Sequence, residues 1–577
     1  MFQFDGIEPH RSAFDQTALA ELLKNDLGPL AADLSRRILN ALGPDVVAGR
    51  LLAGGRPDDL AALHADAKQL PQVIEALGRR GVLAGVELAD GIPGGQLIMV
   101  FPGGGADQDR ATLTAAVRLA ARSANIKVTE SKSGARSVLA GTFFGIGRLA
   151  CWQEGKHFVV ATGTIPHERT IAVADGTRKS LADDPRWAEV AKFKDYETYL
   201  RGFVDTAQLQ QFGARLVSTV KPILAQLGVD GLTNVALHLG FEGRYQRSTI
   251  LLSTTEKRSG ILQLLAEGPS LELVRMPALA PDASTVIALR MSPEAAYRFL
   301  LDSVQKITDL VEPGQSETLR GQIADFEGAL GGDAMKKTLA SLGPAVVGYT
   351  EAGSGIPFFG GALAIEVRDS AALEQNRDAV LRALEQAGRE TFTLLRREYR
   401  GKKLYVFQSK QQFLPFHPTF AVTDGWLHIG LSPQSVKAAI FRATDGRRRL
   451  EFVADLRDRV AQRMSATSGD AKTPRKLLAF AQSDPRPSVQ VLLGVLPLFS
   501  SVLGATGADG GFFQKLDPTV LPTAQAVTES LSPNFWLLTD DQRALRYDSY
   551  STLPMPFDFG SLGAVYGFAA LGFGFMP

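Results

Sequence analysis

The feature that most constrains this chain is a hairpin design that occurs twice. Residues 148–163 read RLACWQEGKHFVVATG, in which two apolar runs meet at Glu154-Gly155, where a glycine can adopt a positive φ. The same design returns at residues 419–431, with Asp424-Gly425 at the turn. Because a tight hairpin joins antiparallel neighbours, the two occurrences predict two related antiparallel sheets.

Three further pairs of segments keep one order in the two parts of the chain. One of them places an Asn before an apolar strand, then an acidic turn, then an alternating strand with an early Arg. Several anchors in a single order indicate an internal duplication. The pairs are residues 232–254 with 531–552, residues 77–85 with 342–348, and Gly94-Gly95 with Gly360-Gly361.

These patterns predict an α+β fold made of two tandem copies of a mostly antiparallel sheet module, with helices packed on one face. The first module is expected over residues 1–265, followed by a Pro- and Ala-rich connector at 266–280. The second module is expected over residues 281–555, with an additional insert near 451–510. Residues 556–577 form an apolar, Gly-rich tail.

The uncharged end of the tail leaves several interpretations open. Residues 559–577 contain no charged side chain and approach the about 20 residues that a helix needs to cross a bilayer. The many glycines and the final proline weaken a helix at this place. A packed segment, an interaction surface and a membrane anchor all remain possible, so peripheral membrane or lipid contact through the tail is one expectation.

The charge balance narrows the classes of partner. The chain has 62 basic and 61 acidic residues, a formal net charge of +1, and 45% hydrophobic residues, so a large folded core is expected. A nucleic-acid binder usually carries a clear basic excess, and none is therefore expected as a partner. The only strong basic cluster that stands out is Arg447-Arg448-Arg449, which follows a predicted helix and is interpreted as a solvated turn.

No cofactor or metal motif stands out. Residues 101–105, FPGGG, lie between a predicted strand and a helix, but they lack the Lys-Ser/Thr of a phosphate loop and the spacing of a dinucleotide fingerprint. No two of the seven histidines have metal-ligand spacing on one helix face. The single cysteine, Cys151, lies in an apolar strand and is interpreted as a small buried hydrophobe. We therefore expect no cofactor and no metal.

Catalytic signatures are equally weak. The chain has no Gly-x-Ser-x-Gly elbow, and the carboxylate pairs Asp183-Asp184 and Asp540-Asp541 are interpreted as cap or turn residues. His157, His238 and His428 lie in predicted strands, where a core or sheet-face role is favoured, and the first and last occupy nearly equivalent hairpin positions. These observations favour a protein with no catalytic residues.

Three tryptophans lie in predicted strands, and they allow two readings. Trp152, Trp426 and Trp536 are first interpreted as core residues. Alternatively, they line an apolar groove or interface between sheet and helices, where a lipid-like ligand would bind.

Three phrases resemble a known family. They are GIEPHRSAFDQTALAELL at residues 6–23, SLADDPRWAEV at 180–190 and PALAPDASTVIALRMSPEAAY at 277–297. They resemble large, uncharacterised proteins of planctomycete-type bacteria with a domain of unknown function, in which a strand precedes a Thr-Ala-Leu helix and a sheet module repeats. Members of that family often carry a secretion leader and are thought to sit in the cell envelope. The resemblance implies the envelope or periplasm. No leader is visible in this sequence before the strand predicted at Met1, so either that strand opens the native chain or an upstream leader was removed or not included, and the cytoplasm is the alternative location.

Taken together, these expectations describe a non-enzymatic structural or assembly protein of the bacterial cell envelope, with a protein partner or self-association. The alternative is a binding module for a lipid-like or apolar ligand. A third reading is an enzyme whose site is assembled from distant residues.

Overall fold

The computed structural model describes residues 1–25, 27–30, 32–33, 70–88, 94–216, 219–277, 279, 283–312, 314–351, 361–410, 417–445, 449–466, 475–487, 489–491, 493–494 and 522–553. The tail predicted at 556–577 lies outside the described residues, as do Arg447 and Arg448 of the basic cluster. The spacing of leucines over residues 9–42 predicts one long helix; residues 26, 31 and 34–42 lie outside the described residues, and residues 11–24 form two short helices, Arg11–Phe14 and Ala18–Lys24. Of the apolar run at 489–503, residues 492 and 495–503 are outside as well.

The chain forms two compact units, and each is interrupted in sequence. The first unit comprises Met1–Leu216, Asn234–Ile250 and the described part of Val495–Ser530. The second comprises Val217–Thr233, Leu251–Gly494 and the described part of Leu531–Pro577. Residues 266–280, predicted to connect two modules, therefore lie inside the second unit.

The first unit is built on an antiparallel sheet. Its strands follow the order β4-β5-β6-β7-β3-β2-β1-β8-β9, and β10 is paired with β9 beyond a tight turn. The strands are β1 Phe2–Phe4, β2 Val82–Leu88, β3 Gly95–Phe101, β4 Val128–Ser133, β5 Arg136–Phe143, β6 Gly147–Glu154, β7 His157–Gly163, β8 Glu197–Asp205, β9 Leu232–Glu242 and β10 Tyr245–Thr254.

The second unit is also built on an antiparallel sheet. Its strands follow the order β14-β15-β16-β17-β13-β12-β11-β18-β19-β20, which is the order of the first unit with ten added to each strand number. The strands are β11 Ala283–Arg290, β12 Leu342–Glu351, β13 Gly361–Val367, β14 Phe392–Tyr399, β15 Lys402–Ser409, β16 Thr419–Thr423, β17 Trp426–Gly430, β18 Lys476–Ser483, β19 Asn534–Asp540 and β20 Ala544–Ser551.

Helices connect these strands, so the predicted mixture of helix and antiparallel sheet is confirmed. Among the described residues, no helix combines the length and the apolar character needed to cross a membrane. In the first unit the helices are α1 Arg11–Phe14, α2 Ala18–Lys24, α3 Leu70–Arg80, α4 Asp107–Ser123, α5 Glu168–Ala174, α6 Pro185–Ala191, α7 Thr206–Leu216 and α16 Ala524–Ser530. In the second unit they are α8 Val220–Leu227, α9 Gly260–Ala266, α10 Pro293–Val311, α11 Ser316–Ala329, α12 Asp333–Ser341, α13 Ser370–Ala387, α14 Pro433–Thr444 and α15 Arg449–Ala466.

The prediction that helices cover only one face of the sheet is wrong. In the first unit, Leu113 of α4 packs with Cys151 on one face, whereas Ile171 of α5 packs with Trp152 on the other. Cys151 and Trp152 are consecutive in β6, so their side chains point to opposite faces. The sheet of this unit is therefore covered on both sides.

The second unit repeats this arrangement. Leu381 of α13 packs with Tyr405, whereas Val436 of α14 packs with Leu404 on the opposite face. The reason is visible in the sequence, because Leu404-Tyr405-Val406-Phe407 is a continuous run of large apolar and aromatic residues. A strand buried on both faces has such a run, whereas a strand with one exposed face alternates apolar and polar residues.

The two hairpins that the sequence singles out are confirmed, with one difference in register. Strand β6 ends at Glu154, so the turn residues are Gly155 and Lys156, one position later than predicted. Gly155 has φ +56°. Asp424 and Gly425 form the second turn as predicted, and both have positive φ (+54° and +77°), as a type I′ turn requires.

Part of the insert predicted near residues 451–510 consists of a helix and a strand that belong to the fold of the second unit. It contains α15 except for its first two residues, and the whole of β18. Strand β18 pairs with β11 and β19, just as β8 pairs with β1 and β9 in the first unit. This part of the predicted insert therefore has a counterpart in the first unit.

Candidate functional site

A basic depression of about 660 Å³ opens on the second unit. Its lining contains five basic and two acidic side chains, a formal excess of three positive charges, together with one tyrosine. We call it the basic depression, and its residues are Arg377, Asp378 and Arg382 of α13, Arg396, Arg397 and Glu398 of β14, and Lys403 and Tyr405 of β15.

Helix α13 supplies one wall of the depression. Leu373, Arg377 and Leu381 are four residues apart and share one helix face, and both leucines are buried. Arg377 is therefore directed at the sheet, and its guanidinium carbon lies 5.4 Å from the centroid of the Tyr405 ring. This cation–π contact fixes the aromatic ring and the helix in one arrangement.

The hairpin β14–β15 supplies the other wall. Arg396 lies opposite Tyr405, and Glu398 lies opposite Lys403, so these four side chains share the face that carries α13. Arg397 belongs to the opposite face, but its Nη1 donates to the carbonyl oxygen of Arg396 at 3.1 Å. Within the described part of the chain β14 has β15 as its single strand neighbour, so its long side chains lie at the sheet edge.

Two of the cations already have partners. The Arg377 guanidinium lies 3.3 Å from a Glu374 oxygen and 3.1 Å from Asp378 Oδ1. The hydrogen bond from Arg377 holds the pKa of the Asp378 carboxyl below its usual range, so this group stays ionised at neutral pH. Arg396 Nη2 lies 3.5 Å from Glu385 Oε2, at the surface.

Three of the cations have no acidic partner. Arg382, Arg397 and Lys403 are exposed and form no ion pair with any carboxylate in the described part of the chain. Burial raises the pKa of Tyr405, so its hydroxyl remains a hydrogen-bond donor at neutral pH. The depression therefore offers donors and positive charge, which is the chemistry that binds oxyanions.

The sequence carried a signal for this site that the motif search passed over. Residues 396–403, RREYRGKK, contain five basic side chains in eight positions. The statement that Arg447-Arg448-Arg449 is the only strong basic cluster is therefore wrong. The denser run was missed because a glutamate and a tyrosine interrupt it, and because its partners on α13 lie earlier in the chain.

The structure places the three sequence-predicted tryptophans apart from the depression. Trp152 is 2% exposed, and its Nε1 donates to Glu154 Oε2 at 3.1 Å. Trp426 is 5% exposed in β17, and Trp536 in β19 packs 5.7 Å from the Tyr547 ring. Strands β17 and β19 are separated by β13, β12, β11 and β18, which places Trp426 and Trp536 about 24 Å apart across the sheet. These two do not line one groove.

Cys151 is a core residue, as the sequence predicts. Burial raises the pKa of its thiol to about 12, so the protonated form dominates at neutral pH. The side chain packs between α4 and the sheet with Leu113 and Phe158. It acts as a small apolar group at this position.

A buried polar cluster in the second unit was not found from the sequence. Tyr349 Oη lies 3.5 Å from His428 Nδ1, and the Arg442 guanidinium carbon lies 5.7 Å from the centroid of the Tyr349 ring. Ala362 and Ala364 of the intervening strand β13 are small, which leaves room for the tyrosine to reach the histidine. Burial, followed by the charge of Arg442, lowers the pKa of His428 to about 4. The imidazole is therefore neutral at pH 7.

The two carboxylate pairs have different roles. Asp184 caps α6 by accepting from the backbone N–H of Arg186 at 2.9 Å, as predicted. Asp541 accepts backbone N–H groups in the β19–β20 turn, also as predicted. Asp540 accepts the backbone N–H of Gln542 in the same turn at 2.8 Å, as predicted, and its buried carboxylate also forms an ion pair with Arg258 at 2.9 Å. It is the last residue of β19, and its side chain points inward.

In the ranges that the structure describes, no group of three or more His, Cys, Asp and Glu side chains could hold a metal ion. Comparison with known proteins leaves the chain without a match, whether among family models, among curated proteins or among solved structures.

Proposed function

We propose that the protein is a non-enzymatic assembly protein, built from two copies of one helix–sheet module, and that the second copy holds an acidic partner in the basic depression. The observation that carries the binding role is the set of three exposed cations, Arg382, Arg397 and Lys403, which border the depression from three elements and form no ion pair with a carboxylate in the described part of the chain. Charges held apart from counter-ions favour association with an oppositely charged partner.

The order of elements supports two copies. Both units follow one strand order, and both place a helix after the third strand in sequence (α4 and α13) and after the seventh (α5 and α14). If the two units were unrelated, all nine pairs of adjacent strands in one sheet would have to match those of the other by chance. Duplication of a common module accounts for them with one event.

We propose the bacterial envelope as the location because residues 6–23, 180–190 and 277–297 resemble segments of envelope proteins. An acidic partner is abundant in that compartment, since anionic lipids and acidic proteins both occur there. Fractionation of cells that produce the full-length chain tests this part, and recovery with the cytosolic fraction would contradict it.

The binding role is tested with two labelled anionic probes, a poly-glutamate peptide and a linear polyphosphate, titrated with full-length protein in an anisotropy assay. Binding of either probe is expected, with loss of at least about tenfold in affinity in the Arg382→Glu/Lys403→Glu variant. Both side chains are exposed, so the variant should fold like the wild type.

Lys132→Glu is the matched control, because Lys132 is an exposed lysine in β4, the corresponding edge strand of the first unit. This variant should bind like the wild type. Failure of both probes to bind, or equal losses in the control and the double variant, would contradict the proposed function.

A further inference from the structure

The charge that remains available in the basic depression sets the size of the anion that fits it. Arg377 is compensated by Glu374 and Asp378, and Arg396 is partly compensated by Glu385. The eight lining residues, which include the acidic Asp378 and Glu398, have a formal excess of three positive charges, and this excess falls to one when Glu374 and Glu385 outside the lining are counted. A ligand that neutralises the depression is therefore expected to carry between one and about three negative charges.

The placement of these cations sets the shape of the anion. Arg382 comes from the helix wall, Arg397 from the edge strand and Lys403 from the strand behind it. Neighbouring strands lie about 4.8 Å apart and a helix packs about 10 Å above a sheet, so the three side chains reach the depression from separate backbone positions. A ligand with more than one anionic group matches these separate positions.

The donor set distinguishes between kinds of anion. A phosphate group carries a charge of about −1.5 to −2 and three terminal acceptor oxygens, so two phosphates meet the available charge. Three carboxylates would be needed for the same charge. Guanidinium groups at Arg382 and Arg397 bind phosphate oxygens in pairs, and the protonated hydroxyl of Tyr405 adds a donor.

The volume is consistent with a compact ligand. Small-molecule sites commonly enclose about 300 to 1,000 Å³, and the depression has about 660 Å³. A chain of two or three phosphates fits this space, and so does the headgroup of a lipid that carries two phosphates.

We infer that the basic depression binds a ligand with two or more linked phosphate groups, either soluble or presented by a lipid headgroup. This inference rests on the proposed function and names the acidic group that the site recognises. Arg382, Arg397 and Lys403 contact the phosphate oxygens, Tyr405 donates from the floor, and Arg377 holds the tyrosine in place.

The inference is tested by isothermal titration of full-length protein with tripolyphosphate and, separately, with citrate as a tricarboxylate probe. One tripolyphosphate per chain is expected, bound at least about tenfold more tightly than citrate, with affinity that falls as salt is raised. Arg382→Ala and Lys403→Ala should each weaken tripolyphosphate binding by about tenfold, whereas Lys132→Ala should leave it unchanged.

Co-sedimentation with phosphatidylcholine vesicles that contain cardiolipin identifies the source of the phosphate. Vesicle binding that Lys403→Ala reduces supports a lipid headgroup, and tripolyphosphate binding without vesicle binding supports a soluble ligand. If poly-glutamate or citrate binds more tightly than tripolyphosphate and depends on the same residues, the phosphate inference fails while the proposed function stands. If no anion binds, or if Arg382→Ala and Lys403→Ala change nothing, both fail.

Discussion

The outer hairpin of the first unit, β4–β5, and the outer hairpin of the second unit, β14–β15, share a backbone design and differ in surface charge. Counted from the turn, corresponding residues are Glu130 and Arg396, Ser131 and Arg397, Ser137 and Lys403, and Leu139 and Tyr405. These four positions carry one negative charge in the first unit and three positive charges in the second. In the first unit the acid is used locally, because Ser137 Oγ donates to Glu130 Oε1.

The inward positions of the same hairpins behave differently. Val138 and Leu404 also correspond, and both are buried against a helix on the second face of the sheet. The comparison teaches that the two hairpins carry similar apolar residues at Val138 and Leu404, whereas their exposed positions differ in charge. A binding role would therefore belong to one unit and not to both.

The cores beneath α5 and α14 extend the comparison. In the first unit Ile171 of α5 packs on Trp152 and other apolar side chains. In the second unit Tyr349 and His428, on the strands under α14, form a buried cluster with Arg442 of α14 itself. Buried polar and charged groups make the stability of the second unit sensitive to single substitutions and to pH.

The largest effect is expected for the buried ion pair of the second unit. Asp540 and Arg258 have side chains that are 3% and 8% exposed, so Asp540→Ala leaves a buried guanidinium without its carboxylate. We expect a loss of about 3 to 5 kcal/mol in the free energy of unfolding, measured by urea denaturation. The matched control is Glu189→Ala in the first unit, which removes an exposed pair with Lys192 and should cost less than about 1 kcal/mol. Equal losses in the free energy of unfolding for the two variants would contradict the expected difference between the buried and the exposed ion pair.

The second effect concerns pH. The pKa of His428 is about 4 in the folded protein, below the about 6.5 of an unfolded histidine, so the unfolded chain binds the proton more tightly. The associated stability is complete above pH 6.5 and is lost as the pH falls toward 4, by up to about 1.4 kcal/mol per unit. Urea midpoints between pH 7 and pH 4.5 measure this dependence, and His428→Leu should make it shallower.

Ile171→Val is the control for that pH experiment, because it alters the corresponding core of the first unit and removes no hydrogen bond to a titrating group. It should keep the wild-type pH dependence. Labelling of Cys151, which is buried in the first unit, reports whether that unit unfolds in the same transition. An unchanged pH dependence in His428→Leu would show that the histidine does not couple to stability.

The smallest effect is expected from the tyrosine that replaces Leu139 in the second hairpin. Tyr405→Phe removes one donor but keeps the ring on which Arg377 lies. We expect tripolyphosphate affinity to fall by about threefold to tenfold, since one hydrogen bond contributes about 0.5 to 1.5 kcal/mol. Tyr405→Leu should lose more, because the ring contact with Arg377 is lost too. Equal tripolyphosphate affinities for Tyr405→Phe and the wild type would show that the Tyr405 hydroxyl does not contribute to binding.

Sequence patterns located the tight hairpins and two helix starts. Ser292 caps α10 through the backbone N–H of Ala295 at 3.3 Å, and Asp184 caps α6, as their spacing before a proline predicts. These signals are local, so one sequence suffices to read them. The register of the hairpin β6–β7 was predicted one position too early, because Gly155 can occupy either position of a two-residue turn.

Other strands were missed for reasons that lie in their environment. Strand β14 reads FTLLRREY and has three charged residues in succession, because it is an edge strand and its outer residues meet solvent. Strand β18 reads KLLAFAQS and was assigned to an insert, because burial on both faces removes the alternation that marks a strand. Both patterns depend on neighbours that are remote in sequence.

The basic depression could be predicted only in part. The run at residues 396–403 is visible in the sequence, but its convergence with Arg377 and Arg382 depends on how α13 packs on the hairpin. Whether Lys403 forms an ion pair likewise depends on tertiary structure, and within the part of the chain that is described it forms none. The local density of basic residues in the sequence indicates a candidate binding site, and the packing of the chain determines which of these charges can contact a ligand.

The contrast between the hairpins is tested most directly by giving the second one the charges of the first. In the variant Arg396→Glu/Arg397→Ser/Lys403→Ser, the three substituted side chains are exposed, so the fold should be retained. Isothermal titration with tripolyphosphate is expected to give one site per chain in the wild type and a loss of about a hundredfold or more in the variant, because each charge-assisted hydrogen bond contributes about 1.5 to 3 kcal/mol. Affinity and stoichiometry equal to those of the wild type would contradict a binding site in the second unit.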